Sequence, residues 1–294
     1  MESSAVAAAA AAVADAGVAG AAPVHPLMFK IHGSDLQYVE VTLAPGAEVV
    51  GEPGAMMFMD EDIVQTTVLG DGSKVGFLTR LWRSFRRMFT GESLFSVVYT
   101  NPASLNRPQR VAFATSTIGK ILAIDLDAAG GSLICQKGAY LAGSRGITVR
   151  VAWQKKLRVG FFGGEGFVMQ RLEGKGLVFI VASGTLTAMD LAAGRSIKVD
   201  SGSLVALQSS VTFDIKYAGR MKTALFGGEG LFYASVRGPG RAWLQSLPMK
   251  RFSKAMWQNA VYGSQRGMLK WYLIAFVIFI ISTVFFGGDP GTKP

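Results

Sequence analysis

The chain contains 294 residues with a formal net charge of +10, and 50% of them are hydrophobic, but only two are histidine and one is cysteine. One cysteine cannot form an internal disulfide, and two histidines with one cysteine are too few for the usual structural zinc sites. These counts exclude disulfide scaffolds and zinc domains and leave little for a histidine-based catalytic triad. We therefore expect that the protein is not an enzyme and has no catalytic residues, metal site or cofactor.

The first 24 residues are mostly alanine, glycine and valine and include no lysine or arginine. This composition predicts a disordered, low-complexity tail over residues 1–26 with some helix propensity. A secretory signal begins with positive charge and a typical mitochondrial transit peptide is rich in arginine, so neither targeting pattern is met.

Residues 27–252 contain three related copies of one segment, each with the same glycine landmark, at Gly54, Gly138 and Gly202. Alternating stretches rich in β-branched and aromatic residues, such as Ile147–Trp153 and Val211–Tyr217, predict short strands between glycine-rich turns. A solenoid is the competing arrangement, but only three long copies with matched loops favour a closed one. We predict an all-β fold of three sequence-related β-sandwich-like repeats around a pseudo-threefold axis, at residues 27–117, 118–184 and 185–252.

A glutamate stands in a glycine-rich turn of each copy, at Glu92, Glu165 and Glu229. The structural interpretation is that each carboxylate accepts hydrogen bonds from the N–H groups of its own turn. The functional interpretation is that symmetry brings the three side chains together near the axis, where they bind a cation or a basic segment of a partner. We treat them as candidate symmetric loop carboxylates.

Two other acidic or reactive features have simple interpretations. The adjacent acids at 60–62 are interpreted as a solvated turn, because neighbouring side chains of an extended chain cannot all point at one ion. Cys135 lies in an apolar stretch without a histidine nearby, so we interpret it as a small core residue and not as a nucleophile.

The stretches GAMMFMDEDI, TGESLF, ICQKGAYLA and FGGEGLF occur in this order and resemble the altered-inheritance-of-mitochondria, or mitochondrial biogenesis, family. The domain of that family is similar to the fold of the tryptophan RNA-binding attenuator protein (TRAP). The resemblance covers most of residues 27–252. It implies a TRAP-like domain in a mitochondrial protein linked to inner-membrane organisation and the assembly of respiratory complexes.

An insertion in the first copy, at residues 75–89, has apolar residues on one side of a helical wheel and arginines on the other. This pattern is typical of an interfacial membrane helix that carries aromatic residues on its apolar face. The alternative is that the apolar side covers a sheet edge of the same domain while the arginines are solvated. The candidate contacts with a membrane surface are Arg80, Trp82, Arg83, Phe85, Arg86 and Arg87.

A basic linker at 253–270 leads into an apolar run that continues, with two glycines, over residues 271–288. As a helix this run would be roughly 27 Å long, close to the roughly 30 Å hydrocarbon core of a bilayer. The run therefore predicts a single transmembrane helix, followed by a short tail at 289–294. The predicted anchor residues are Lys270, Trp271, Tyr272 and Phe286. The positive charge before the run predicts that the β domain lies on the matrix or cytoplasmic side.

These patterns together predict a membrane-anchored, non-enzymatic scaffold or assembly factor. Its expected partners are the lipid bilayer and membrane protein complexes, and a homo-oligomer is left open. By resemblance, the expected location is the mitochondrial inner membrane. The alternative is a ligand- or RNA-binding TRAP-like module that is tethered to a membrane. The positive charge permits RNA binding, but clusters of base-stacking aromatic residues are not evident, so we do not expect a nucleic-acid partner.

Overall fold

The computed structural model describes residues 27–69, 95–115, 117–155, 167–217 and 232–249, and a few C-terminal residues at 251–253, 255–256, 272 and 274–280. The chain divides into two compact units, Met1–Leu247 and Pro248–Pro294. The predicted tail at 1–26 and the predicted amphipathic insertion at 75–89 lie outside the described residues.

The first unit is built from β-strands, because stretches of alternating apolar and polar residues bury one side chain in two. In the second strand, for example, Val39, Val41 and Leu43 are fully buried while the residues between them are partly exposed. The strands are β1 (Met28–His32), β2 (Tyr38–Leu43), β3 (Glu48–Gly51), β4 (Met56–Met59), β5 (Val64–Leu69), β6 (Phe95–Thr100), β7 (Gln109–Ala114), β8 (Gly119–Asp125), β9 (Ser132–Gln136), β10 (Tyr140–Ser144), β11 (Thr148–Lys155), β12 (Phe167–Glu173), β13 (Leu177–Ser183), β14 (Leu186–Leu191), β15 (Ser196–Asp200), β16 (Leu204–Gln208), β17 (Thr212–Tyr217), β18 (Phe232–Arg237) and β19 (Gly240–Gln245). Two single turns of 3₁₀ helix, Ala103–Leu105 and Ser201–Ser203, lie between strands.

The described strands form four antiparallel sheets. The first has the order β1-β2-β7-β4, and the second has the order β5-β6-β3-β10-β13-β8. The third has the order β11-β12-β9-β16-β19-β14, which is the order of the second sheet displaced by six strands, and the fourth has the order β15-β18-β17. Several of the strands that pair are far apart in the sequence, such as β2 with β7 and β3 with β10.

Three apolar clusters lie between successive sheets. The first joins sheets one and two and includes two edge-to-face aromatic pairs, Phe29 with Phe179 at 5.1 Å and Tyr99 with Phe113 at 5.3 Å between ring centroids. The second cluster lies between sheets two and three, and the third between sheets three and four. Because sheets two and three each contribute to two clusters, burial on both faces makes them the centre of the unit.

The predicted arrangement around a pseudo-threefold axis is wrong for the described strands. A closed arrangement would repeat one junction three times, but β3 pairs with β10 and β9 with β16, whereas β4 and β15 are not paired strands among the described residues. The junction is therefore formed by the second and third copies but not by the first: β10 and β16 pair on both sides, whereas Met57 of β4 is 55% exposed.

The predicted transmembrane helix at 271–288 is also wrong. Among the described residues of that range, helix occurs at Tyr272 and at 274–280. No helix in the described part of the chain is both long and apolar enough to cross a membrane.

Candidate functional site

Most of the predicted functional residues lie in parts of the chain that the structure does not describe. This holds for the three loop carboxylates Glu92, Glu165 and Glu229 and for the six candidate membrane contacts between 80 and 87. Of the predicted anchor residues, Tyr272 is described, and it is 69% exposed. The structure therefore does not place any of these predicted residues next to one another.

In the acidic turn at 60–62, two of the three carboxylates pair with arginines. Arg107 donates a hydrogen bond of 2.6 Å to the Oδ2 atom of Asp62. The backbone N–H of Arg110 donates to Asp60 at 2.7 Å, and its guanidinium lies 3.3 Å from the other oxygen of that carboxylate. These pairs fix the turn beside β7. Across the described ranges, no group of three or more histidine, cysteine, aspartate or glutamate side chains could hold a metal ion.

A group of titratable side chains lies where β3, β9 and β10 meet. Cys135 is fully buried, and burial, with a smaller contribution from the charge of Glu52, raises the pKa of its thiol to about 12. Burial also raises the pKa of Tyr140, and its hydroxyl donates to the carbonyl oxygen of Val50 at 3.2 Å. Burial raises the pKa of Glu52, while the positive charge of Lys137 opposes that change.

This group holds the junction, and its thiol is not suited to nucleophilic attack. A thiol with so high a pKa remains protonated at neutral pH, and the thiolate is the reactive form of cysteine. The interpretation of Cys135 as a core residue is therefore confirmed. Its neighbour Tyr140 uses its hydroxyl to bond two strands of the second sheet.

Several polar side chains that the sequence patterns did not single out hold separate segments together. Asn101 is fully buried, and its amide group donates to the carbonyl oxygens of Leu43 and Arg107, both at 2.9 Å. Gln245 accepts a hydrogen bond from the N–H of Ser183 and donates one to the carbonyl of Gly202, both at 2.8 Å. A polar residue at a strand end was the only signal in the sequence, and it does not identify a distant partner.

The outer face of the fourth sheet carries charges of both signs, from Lys198, Lys216, Arg237, Asp200 and Asp214. Lys198 and Arg237 are exposed there, and the ammonium group of Lys198 lies 5.4 Å from the centre of the Tyr233 ring. A cation over an aromatic ring makes a favourable contact and occupies the face on which a nucleobase would stack. The Tyr233 ring therefore offers little free surface on which a nucleobase could stack.

The most continuous exposed apolar surface among the described residues is formed by the helical residues 274–280, which we call the apolar C-terminal helix. Six of its side chains are large and hydrophobic, and they are between 45% and 65% exposed. Contiguous exposed apolar surface on a protein commonly marks a site of interaction with another protein or with lipid. The sequence pattern located this apolar segment but predicted that it forms a transmembrane helix.

Comparisons with known proteins match the β-rich unit. A protein-family model described as Mitochondrial biogenesis AIM24 matches residues 29–247. The crystal structure of protein SPYM3_0169 from Streptococcus pyogenes is similar, with a TM-score of 0.61 and 24% identity, over 79% of this chain and 99% of that one. At that identity the likeness concerns the fold alone. No curated protein matches the chain.

Proposed function

The chain belongs to the mitochondrial biogenesis AIM24 family, and on that premise we propose that it acts in mitochondrial biogenesis as a non-enzymatic scaffold or assembly factor. The observation that carries the proposal is the combination of a body with three apolar cores and a separate, exposed apolar helix. The first supplies a stable surface and the second supplies an attachment point.

The β-rich unit is suited to presenting a surface. Its four sheets share three consecutive cores, so an outward-facing side chain is held by strands that are themselves packed on a neighbouring sheet. Interiors of this kind are close-packed and deform little, which favours a constant arrangement of surface groups. The titratable group around Cys135 supports a non-enzymatic role, because its thiol is buried and protonated.

The attachment point is the apolar C-terminal helix. Burying an exposed apolar side chain stabilises an association by about 25 cal/mol per Å² of apolar surface. We propose that Phe276, Val277 and Ile278, each at least 51% exposed, contact the apolar surface of a membrane protein complex or of the lipid around it. The family is mitochondrial, and the inner membrane, where respiratory complexes are assembled, is the location that we propose.

Copurification from mitochondria tests this attachment. We expect the full-length protein to copurify with subunits of respiratory complexes, and we expect a double variant, Phe276→Asp with Ile278→Asp, to lose them. The matched control is Phe276→Leu with Ile278→Leu, which keeps the helix apolar and should retain the partners. Equal recovery with the aspartate and the leucine variants would contradict the proposed attachment.

The alternative function is RNA or ligand binding by the β-rich unit. The observations in its favour are the exposed Lys198 and Arg237 and the net charge of +10. Filter binding of the full-length protein to single-stranded RNA, titrated with salt, separates the two functions. Binding that disappears at modest salt reflects general charge attraction and is what we expect. Tight binding that persists at high salt would instead favour the RNA-binding function.

A further inference from the structure

Strand β4 forms one end of the first sheet. On one side it pairs with β7, with Met56 opposite Phe113 and Met59 opposite Val111. On its other side, none of the described strands pairs with it. Strands β10 and β16, which follow the equivalent glycine landmarks, are each paired on both sides.

The composition of β4 is unlike that of the other strands at sheet ends. End strands offer unpaired N–H and C=O groups to other chains, and proteins usually guard them with charged or polar side chains. The four described sheets have eight end strands. Among them, β5 has glutamine and threonine, and all the others except β4 have at least one charged residue. These charged residues include Lys30 in β1, Lys120 in β8, Arg150 in β11, Asp190 in β14, Lys198 in β15 and Lys216 in β17. Strand β4 reads Met-Met-Phe-Met, and its one guarding feature is a bulge between Met56 and Phe58.

The side chains of β4 are also accessible. Met57 is 55% exposed, and Met56, Phe58 and Met59 are partly exposed. Methionine is flexible and polarizable, so it adapts to an apolar partner without a fixed shape. Asp60, which follows the strand, is already paired with Arg110, so its charge is compensated close to the strand end.

We propose that β4 pairs with β4 of a second copy of this chain, antiparallel and about a twofold axis. The pairing would join two four-stranded sheets into one continuous sheet. An uncharged apolar strand is complementary to itself, whereas pairing β4 with β15 would bring Lys198 next to its methionines. Pairing of identical strands also closes after two copies, as in most symmetric dimers.

The oligomeric state of the full-length protein tests this inference. Light scattering coupled to gel filtration, in a mild detergent that covers the apolar C-terminal helix, should give the mass of a dimer. We expect Met57→Lys to be a monomer, because it places a charge at the pairing edge. The matched control is Met28→Lys on β1, at the opposite edge of the same sheet, where Met28 is 69% exposed. This control should remain a dimer. A monomeric wild type, or loss of the dimer in both variants, would overturn the proposal.

Cross-linking provides a second test that does not depend on the folding of the lysine variant. Met57→Cys, treated with a short bifunctional maleimide, should yield a cross-linked dimer, and buried Cys135 should not react. A mixture of Met57→Cys and Lys198→Cys chains distinguishes the two pairings. Cross-links that form only between the two different chains would show pairing of β4 with β15 and would overturn the proposed twofold contact.

Discussion

The hydroxyl group of Tyr140 donates a hydrogen bond of 3.2 Å to the carbonyl oxygen of Val50, which lies 90 residues earlier in the chain. This bond links β10 to β3 at the centre of the second sheet. Because the hydroxyl is buried, its interaction with the carbonyl replaces water on both groups and fixes the two strands.

We expect Tyr140→Phe to destabilise the protein by about 1 kcal/mol, the usual net contribution of one hydrogen bond. Urea unfolding followed by tryptophan fluorescence measures the free energy of unfolding. Tyr38→Phe is the matched control, since Tyr38 stacks on His32 through its ring, which phenylalanine keeps. An equally large decrease in the free energy of unfolding of the Tyr38→Phe control would contradict the role of the Tyr140 hydroxyl.

Asn101 is expected to be more sensitive than Tyr140. Its amide group holds two carbonyl oxygens inside the first unit, so Asn101→Ala should lower the free energy of unfolding by about 1–3 kcal/mol. Asn106 has a positive φ of 46° and is the control, because Asn106→Gly suits that backbone conformation. Urea unfolding should leave the Asn106 variant within about 0.5 kcal/mol of wild type. Similar urea midpoints of unfolding for Asn101→Ala and wild type would contradict a stabilising role of the Asn101 amide group.

We expect the stability of the protein to depend on pH through the buried carboxyl group of Glu52. Burial raises its pKa above the ordinary value of 4.5, so the folded chain binds a proton at pH values where the unfolded chain has lost it. Stability contributed by the protonated group is therefore present below 4.5 and is lost as pH rises to the folded-state pKa. The difference in unfolding free energy between wild type and Glu52→Gln should fall as pH rises through this window. The exposed Glu61→Gln is the control, and the idea fails if both variants give the same pH profile.

Cys135 should be unreactive in the folded protein, because its pKa is about 12 and its side chain is fully buried. Treatment with iodoacetamide at pH 8 should label the thiol only after denaturant unfolds the first unit. Mass spectrometry of intact chains measures the labelled fraction. Rapid labelling of the folded chain at the rate of a free thiol would show that the junction of β3, β9 and β10 is open.

Local patterns in the sequence predicted several strands well. The alternation over Ile147–Trp153 corresponds to β11, Thr148–Lys155, and that over Val211–Tyr217 corresponds to β17, Thr212–Tyr217. These positions follow from residue type and period alone. The hydrogen bond from Asn101 to Leu43 joins residues that are 58 positions apart, and no local pattern reports such a distance.

The arrangement of the sheets could not be predicted for the same reason. Similar segments suggest similar junctions, but β10 and β16 pair on both sides whereas β4 pairs only with β7 among the described strands. The apolar C-terminal segment gave a second wrong prediction. Hydrophobic composition located the apolar side chains that are exposed at 274–280, but no helix in the described part of the chain is long and apolar enough to cross a membrane.

The central claim is that the chain supports the assembly of membrane complexes in mitochondria through its apolar C-terminal helix. The most direct test is to delete the gene, restore it with chosen variants and measure respiratory-complex assembly on native gels. We predict that wild type and the leucine variant of Phe276 and Ile278 restore assembly, while the corresponding aspartate variant does not. Full assembly in the deleted cells, or full restoration by the aspartate variant, would contradict this account.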